Sequence, residues 1–185
     1  EEHKRVILVT THRRENLGDP MHQVYRALRR LVEAVPDTEV VFPVHRNPLV
    51  REAVSEELEG VPGIHLVEPM EYEPFTNLMA RSAIVLTDSG GIQEEAPSLG
   101  KPVLVLRDTT ERPEAVEAGT VRLVGTNEDK VFETAYKLLT DDKEYRSMAE
   151  AVNPYGDGHA AGRIVDALLW IEGISDKKPA KFIAK

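Results

Sequence analysis

The residues Asp88-Ser89-Gly90-Gly91-Ile92-Gln93-Glu94-Glu95 follow the apolar run Ala83-Ile84-Val85-Leu86 after one residue, Thr87. An apolar run ended by small polar residues reads as a buried parallel strand entering a helix. Two glycines at such a junction let a ligand approach the backbone. The amides of the helix's first turn then face that ligand with a partial positive charge. Glu95, one turn further on, can accept hydrogen bonds from sugar hydroxyls. A phosphate cradle followed by a hydroxyl-binding carboxylate is the chemistry of a nucleotide or nucleotide-sugar site. A Ser or Asp N-cap with glycines at a tight turn accounts for the same residues without a ligand.

Three further polar clusters each follow an apolar run: Thr11-His12-Arg13-Arg14-Glu15-Asn16, Val44-His45-Arg46-Asn47-Pro48, and Arg107-Asp108-Thr109-Thr110-Glu111-Arg112-Pro113. His12 can donate a hydrogen bond to a phosphate or protonate one as it leaves, because an unperturbed imidazole titrates near neutrality. Arg112 can hold a diphosphate through its forked guanidinium. Taken singly, each has a plainer explanation. The arginines beside Glu15 can form surface ion pairs of little worth, and Asp108, Thr109 and Thr110 can cap a helix that begins near Pro113. What favours a site is that His, Arg, Ser and backbone amides converge on the same ends of four strands. The six histidines are scattered without metal-ligand spacing, so no metal and no cofactor is expected. Neither Gly-x-Gly-x-x-Gly nor a Walker pattern is present, which disfavours a dinucleotide oxidoreductase or an ATPase.

The elements that must position these clusters alternate along the chain. Apolar runs rich in Val, Ile and Leu mark strands at 6–10, 39–43, 64–67, 84–87, 103–106 and 121–123. Helical periodicity marks 21–35, 48–58, 75–81, 91–99 and 112–118, then 129–139, 143–151 and a closing helix at 159–171. Strand–helix alternation of this kind predicts an α/β fold, an open, doubly wound parallel sheet with right-handed crossovers. In such sheets ligands sit beyond the carboxyl ends of the strands, where all four clusters fall. The expected organisation is a Rossmann-like unit over 1–152, a crossing loop and closing helix over 153–172, and a Lys-rich, mobile tail over 173–185.

At 185 residues the chain is one domain by length, and 41% hydrophobic with 30% charged residues is ordinary globular composition. A net charge of -9 argues against a nucleic-acid partner, which would need a broad basic face. No Cys is present, which excludes disulfides and fits a reducing compartment; we read the chain as cytoplasmic. No apolar stretch approaches membrane-spanning length, and Glu-Glu-His-Lys-Arg at the N-terminus is not a signal peptide. The chain begins without Met one step before its first strand, which suggests a boundary within a longer protein.

The four clusters also resemble a known family. Thr11 to Asn16, Asp88 to Pro102, Arg107 to Glu114 and Asn153-Pro154-Tyr155-Gly156-Asp157-Gly158 are similar, in the same order, to motifs of the bacterial non-hydrolysing UDP-N-acetylglucosamine 2-epimerases. That family resembles the GT-B glycosyltransferases, two Rossmann-like domains around a cleft, and the similarity here covers only the C-terminal, nucleotide-binding half. The resemblance implies interconversion of UDP-GlcNAc and UDP-ManNAc by elimination and re-addition of UDP, with proton transfer at C2 assigned to carboxylates of the N-terminal half. It implies UDP-GlcNAc or UDP as ligand, an N-terminal domain as partner, a homodimer, and service to cell-envelope polysaccharide synthesis. By the same resemblance, His12 contacts the diphosphate and assists its departure. Ser89, Gly90 and Gly91 form the phosphate turn, and Glu95 holds the ribose. Phe75 lies in the segment that receives the uracil, with Met70 nearby where some members carry Gln. Arg112 contacts substrate, while Arg13 and His45 match residues that help hold a second, activating UDP-GlcNAc. Half a family fold leaves two other readings, the donor half of a GT-B glycosyltransferase and a nucleotide-sugar sensor.

Overall fold

The computed structural model describes residues 4–182. Six strands form one sheet: β1 (Arg5–Thr10), β2 (Thr38–Pro43), β3 (Ile64–Val67), β4 (Ile84–Thr87), β5 (Val103–Val105) and β6 (Val121–Leu123). All pairs are parallel, in the order β3-β2-β1-β4-β5-β6. The chain winds outward from β1 to one edge, returns to the far side of β1, and winds outward again. The reversal between β1 and β4 is the topological switch point, and the crevice there is where such sheets take ligands.

Alternate side chains of each strand point to opposite faces and build two cores. Ile7, Val9, Phe42, Ile84, Leu86 and Leu104 pack under α1 (Asp19–Ala34), α2 (Pro48–Leu58), α6 (Glu128–Thr140) and α7 (Asp142–Ala149). Leu8, Val85, Val103 and Val105 pack under α3 (Tyr72–Arg81), α4 (Gly90–Ser98) and α5 (Pro113–Ala118). Both faces of the sheet are therefore covered, which explains why the strands read as unbroken apolar runs rather than alternating ones.

The predicted strands and helices all form, with small shifts at their ends. α1 starts at Asp19 rather than Met21, because Gly18, at a φ of 86°, turns the chain into the helix and Pro20 fits its first turn. α3 starts at Tyr72 rather than Phe75. Pro74 sits in its first turn, where the missing N–H has no helical partner to lose. The closing helix, α8 (Ala160–Ile171), buries none of its residues. Ile164, Val165, Leu168 and Ile171 are more than half exposed, and Arg163 reaches back to Asp157 with bonds of 2.7 and 2.6 Å. The expected mobile tail lies partly outside the described residues, at 183–185; residues 173–182 form no helix or strand.

Candidate functional site

β1 and β4 end level with each other. Thr10 and Thr87 are register partners, and their hydroxyl oxygens are 2.6 Å apart. Just beyond them stands Asp88, with 0% of its surface exposed. Its carboxylate accepts from the backbone N–H groups of His12 and Arg13, each at 2.9 Å, and from the Asn16 side-chain amide at 3.4 Å. The His12 Nδ1 lies 2.9 Å from the other carboxylate oxygen. A short 3₁₀ turn (Arg14–Asn16) then carries the chain to α1, and Asn16 also donates to the Leu106 carbonyl at 3.1 Å. The loops after β1, β4 and β5 are thus tied together by one buried carboxylate and one amide.

That tie fixes the chemistry of His12. With Nδ1–H donated to Asp88, the remaining ring nitrogen is the one available to a ligand. The Asp88 bond raises the imidazole above its ordinary pKa, against a smaller opposing effect of burial. For Asp88, burial pushes the carboxyl up, but the bonds from His12 and from the Arg13 and His12 amides outweigh it and hold it below the usual range. The protonated histidine therefore supports the fold fully below its unfolded value of about 6.5, and that support is lost as pH rises through the raised value. Asp88 contributes above about pH 4, and its contribution is lost as pH falls through the lowered value. Denaturant titrations across pH should show a plateau between those limits and a decline above it. The decline should stay within about 1 kcal/mol, because water screens the half-exposed His12. A His12→Asn variant should lack it; a decline of the same size in that variant would assign it elsewhere.

α4 begins beside this pair. Ser89 is its N-cap residue but makes no side-chain cap bond; its own N–H donates to the Thr87 hydroxyl at 3.0 Å. The plainer reading of this junction, a Ser or Asp side chain capping the helix, is therefore not what forms. Asp88 bonds the β1 loop instead. The first-turn amides of Gly90 and Gly91 are left to face the crevice without a cap. A β-carbon on Gly91 would lie 3.9 Å from the Glu95 carboxylate, which makes no hydrogen bond or ion pair among the described residues. Gln93, fully buried, holds the next loop: it accepts from the Thr110 hydroxyl at 2.5 Å, and Thr110 accepts from the Arg112 N–H at 3.0 Å.

The residues singled out from the sequence are placed as follows. His12, Arg13, Ser89, Gly90, Gly91 and Glu95 converge on the crevice between β1 and β4. His45, on the loop after β2, stacks on His12 with ring centroids 5.9 Å apart. Arg112 reaches the same rim, with its guanidinium on Glu94 and on the Glu111 carbonyl. Phe75 lies inside α3, half-buried against the second core, and its N–H donates to the Glu71 carbonyl at 3.1 Å. Met70, in the loop before the helix, is exposed. Among the described residues Glu15 pairs not with the adjacent arginines but with Arg107 at 2.9 Å, and Arg13 pairs with Glu111 at 3.2 Å, so both ion pairs run between loops. Asn16 and Arg107 carry roles that the sequence does not assign, and Asp88, which reads there as a cap, ties the loops together instead; an Asp just past the end of a buried strand is its signal. Among the described residues no group of three or more His, Asp or Glu is placed to hold a metal ion, and no helix is long and apolar enough to cross a membrane.

Residues 1–169 match the family described as UDP-N-acetylglucosamine 2-epimerase. The Bacillus subtilis enzyme of that name is 55% identical over 181 residues, which is 98% of this chain and 48% of its own. The chain spans about half the length of the curated relatives it matches. A co-structure of S. aureus MnaA with UDP superimposes at a TM-score of 0.92, with 48% identity over 98% of this chain and 50% of that one. The glycosyltransferase WaaG shares the fold alone, at a TM-score of 0.63 and 20% identity over 81% of this chain and 42% of its own. A Rossmann-like sheet of this order, one half of a GT-B-type architecture, with a family match over most of its length, places the chain in the UDP-N-acetylglucosamine 2-epimerase family.

Proposed function

We propose that this chain is the UDP-binding half of an enzyme that interconverts UDP-GlcNAc and UDP-ManNAc. The observation that carries the reading is the His12–Asp88 pair beside the uncapped start of α4, in the crevice where the sheet reverses. In the reaction a base removes the proton from C2 while the C1–O bond breaks, and the bonding electrons leave with UDP. The glycal that results takes UDP back, and a proton returns to either face of C2. The half described here meets the charge on the departing diphosphate: the amides of Gly90 and Gly91, the protonated His12 and the Arg112 guanidinium are preorganised donors for it. Glu95 accepts from the ribose hydroxyls, and the segment of Phe75, with Met70 nearby, receives the uracil. Arg13 and His45 flank His12 and hold the second, activating nucleotide sugar.

The proton at C2 is moved by carboxylates of the other half of the relatives' length, since a general base must lie within hydrogen-bond reach. The exposed apolar side of α8 packs across to that half, and the whole enzyme is a cytoplasmic homodimer. The test is calorimetric titration of the 185-residue chain with UDP, UMP and ADP, followed by an epimerisation assay. Saturable binding is expected with UDP preferred over ADP by at least about tenfold, or 1.4 kcal/mol, and with no turnover until the other half is added. Equal binding of ADP would overturn the uridine assignment. Epimerisation by this chain alone would overturn the division of labour.

A further inference from the structure

The space above the first residue of α4 is shared by side chains of two other loops. A β-carbon built on Gly90 would clash with Glu111 Oε1 and lie 3.9 Å from Arg13 Nη2. Glu111 belongs to the loop after β5. Its carboxylate pairs with Arg13 at 3.2 Å and with Arg107 at 2.5 Å. Its own backbone N–H and the Arg107 guanidinium hold it below the usual carboxylate range, so it is charged at neutral pH. An anion beside the uncapped start of a helix, held by two guanidinium groups, is the arrangement expected of a bound phosphate.

Resting on the proposed UDP site, we propose that Glu111 is an internal stand-in for phosphate: it occupies the cradle at Gly90, and a diphosphate enters only by displacing it. The side chain is 40% exposed, so it can swing outward without unpacking either core. Its departure frees the Arg107 guanidinium for the incoming anion, and releases that of Arg13 for the second nucleotide sugar beside it. Arg107 is only 12% exposed and is also held by Glu15, so it keeps its place when Glu111 leaves. A second carboxylate of the same kind, Glu94, holds Arg112 on the neighbouring rim. Carboxylates of the chain thus neutralise the three arginines at the cradle. A ligand that brings less charge than it displaces gains little there. The apparent affinity of a diphosphate is lowered by the fraction of time the cradle is closed. A ligand that fills only the base and ribose subsites never meets Glu111 and is unaffected.

The experiment compares the parent chain with Glu111→Gln and Glu111→Asp by calorimetric titration with UDP, uridine and inorganic pyrophosphate. Glu111→Gln should bind UDP and pyrophosphate about tenfold more tightly, as expected for a cradle open about a tenth of the time, and uridine equally. Glu111→Asp, whose carboxylate retracts by one methylene, should fall between. Tighter pyrophosphate binding without any preference for uridine nucleotides would leave the stand-in role intact while removing the uridine reading. Unchanged or weaker binding of UDP and pyrophosphate by Glu111→Gln would overturn the stand-in role, as would failure of both proteins to bind pyrophosphate. Melting curves of each variant verify that the loop still folds; weaker binding by a fully folded Glu111→Gln would make Glu111 a ligand contact.

Discussion

Asp88→Ala is expected to lower stability by about 3 kcal/mol and to abolish measurable UDP binding. Asp88 is wholly buried and accepts from two backbone amides, a side-chain amide and an imidazole on a loop 72 to 76 residues away in sequence. Removing one partner from such a buried cluster leaves donors facing a cavity, at about 3–5 kcal/mol where no water enters and less where it does. His12 is half-exposed, so the lower end applies. Asp88→Asn keeps the shape, and its carbonyl can still accept from the His12 and Arg13 amides, which share one carboxylate oxygen in the parent, but its NH2 then meets His12 Nδ1 in place of an acceptor; it should cost less stability than Asp88→Ala and still weaken UDP binding. The two variants separate shape from charge. If urea titration places both within about 1 kcal/mol of the parent, the carboxylate is an accessory and not the joint of the site.

Phe42→Ala should cost about 3–5 kcal/mol, the usual range for emptying an aromatic site in a packed core. Phe42 has 0% exposure and lies 5.6 Å, centroid to centroid, from the equally buried Tyr25. The effect on function should be small and indirect. Tyr25 carries a hydroxyl 2.8 Å from the Thr11 hydroxyl, next to His12, so the cavity loosens a support of the site but touches none of its donors. The prediction is a lowered urea midpoint with an unchanged slope, and UDP affinity within about threefold of the parent wherever the variant is folded. Affinity lost in proportion to stability would show that core and crevice are a single cooperative device.

Much of this was legible from one chain. The strands are buried on both faces, so their Val, Ile and Leu runs mark them without ambiguity, and 64–67, 84–87 and 121–123 form as read. Boundaries shifted where backbone chemistry outweighed side-chain period, at Gly18 before α1 and at Pro74 in the first turn of α3. The crevice was legible as a rim of four loops because each follows a recognisable strand. Its inner connections were not. Asp88 reads as a cap because local bonding is the usual fate of such a residue, and only the pairing of β1 with β4 shows that its partners lie across the sheet. Glu111 was equally hidden. Nothing local to Arg107–Arg112 says that its carboxylate will stand over a glycine in another loop.

The separation in sequence of the two strands that meet at the switch point has a kinetic consequence. β1 pairs with β2 across a single helix, but with β4 only after some seventy intervening residues have been arranged. Contacts that distant form late, because the entropy of closing the chain must be met before they return anything. Asp88 and His12 face each other only once that closure is complete. A collapsed chain with β1 to β3 assembled would carry half a sheet, most of α1 and α2, and no crevice. Competence to hold a nucleotide thereby depends on a long-range closure of the chain, and a nascent chain cannot acquire it until β4 has left the ribosome.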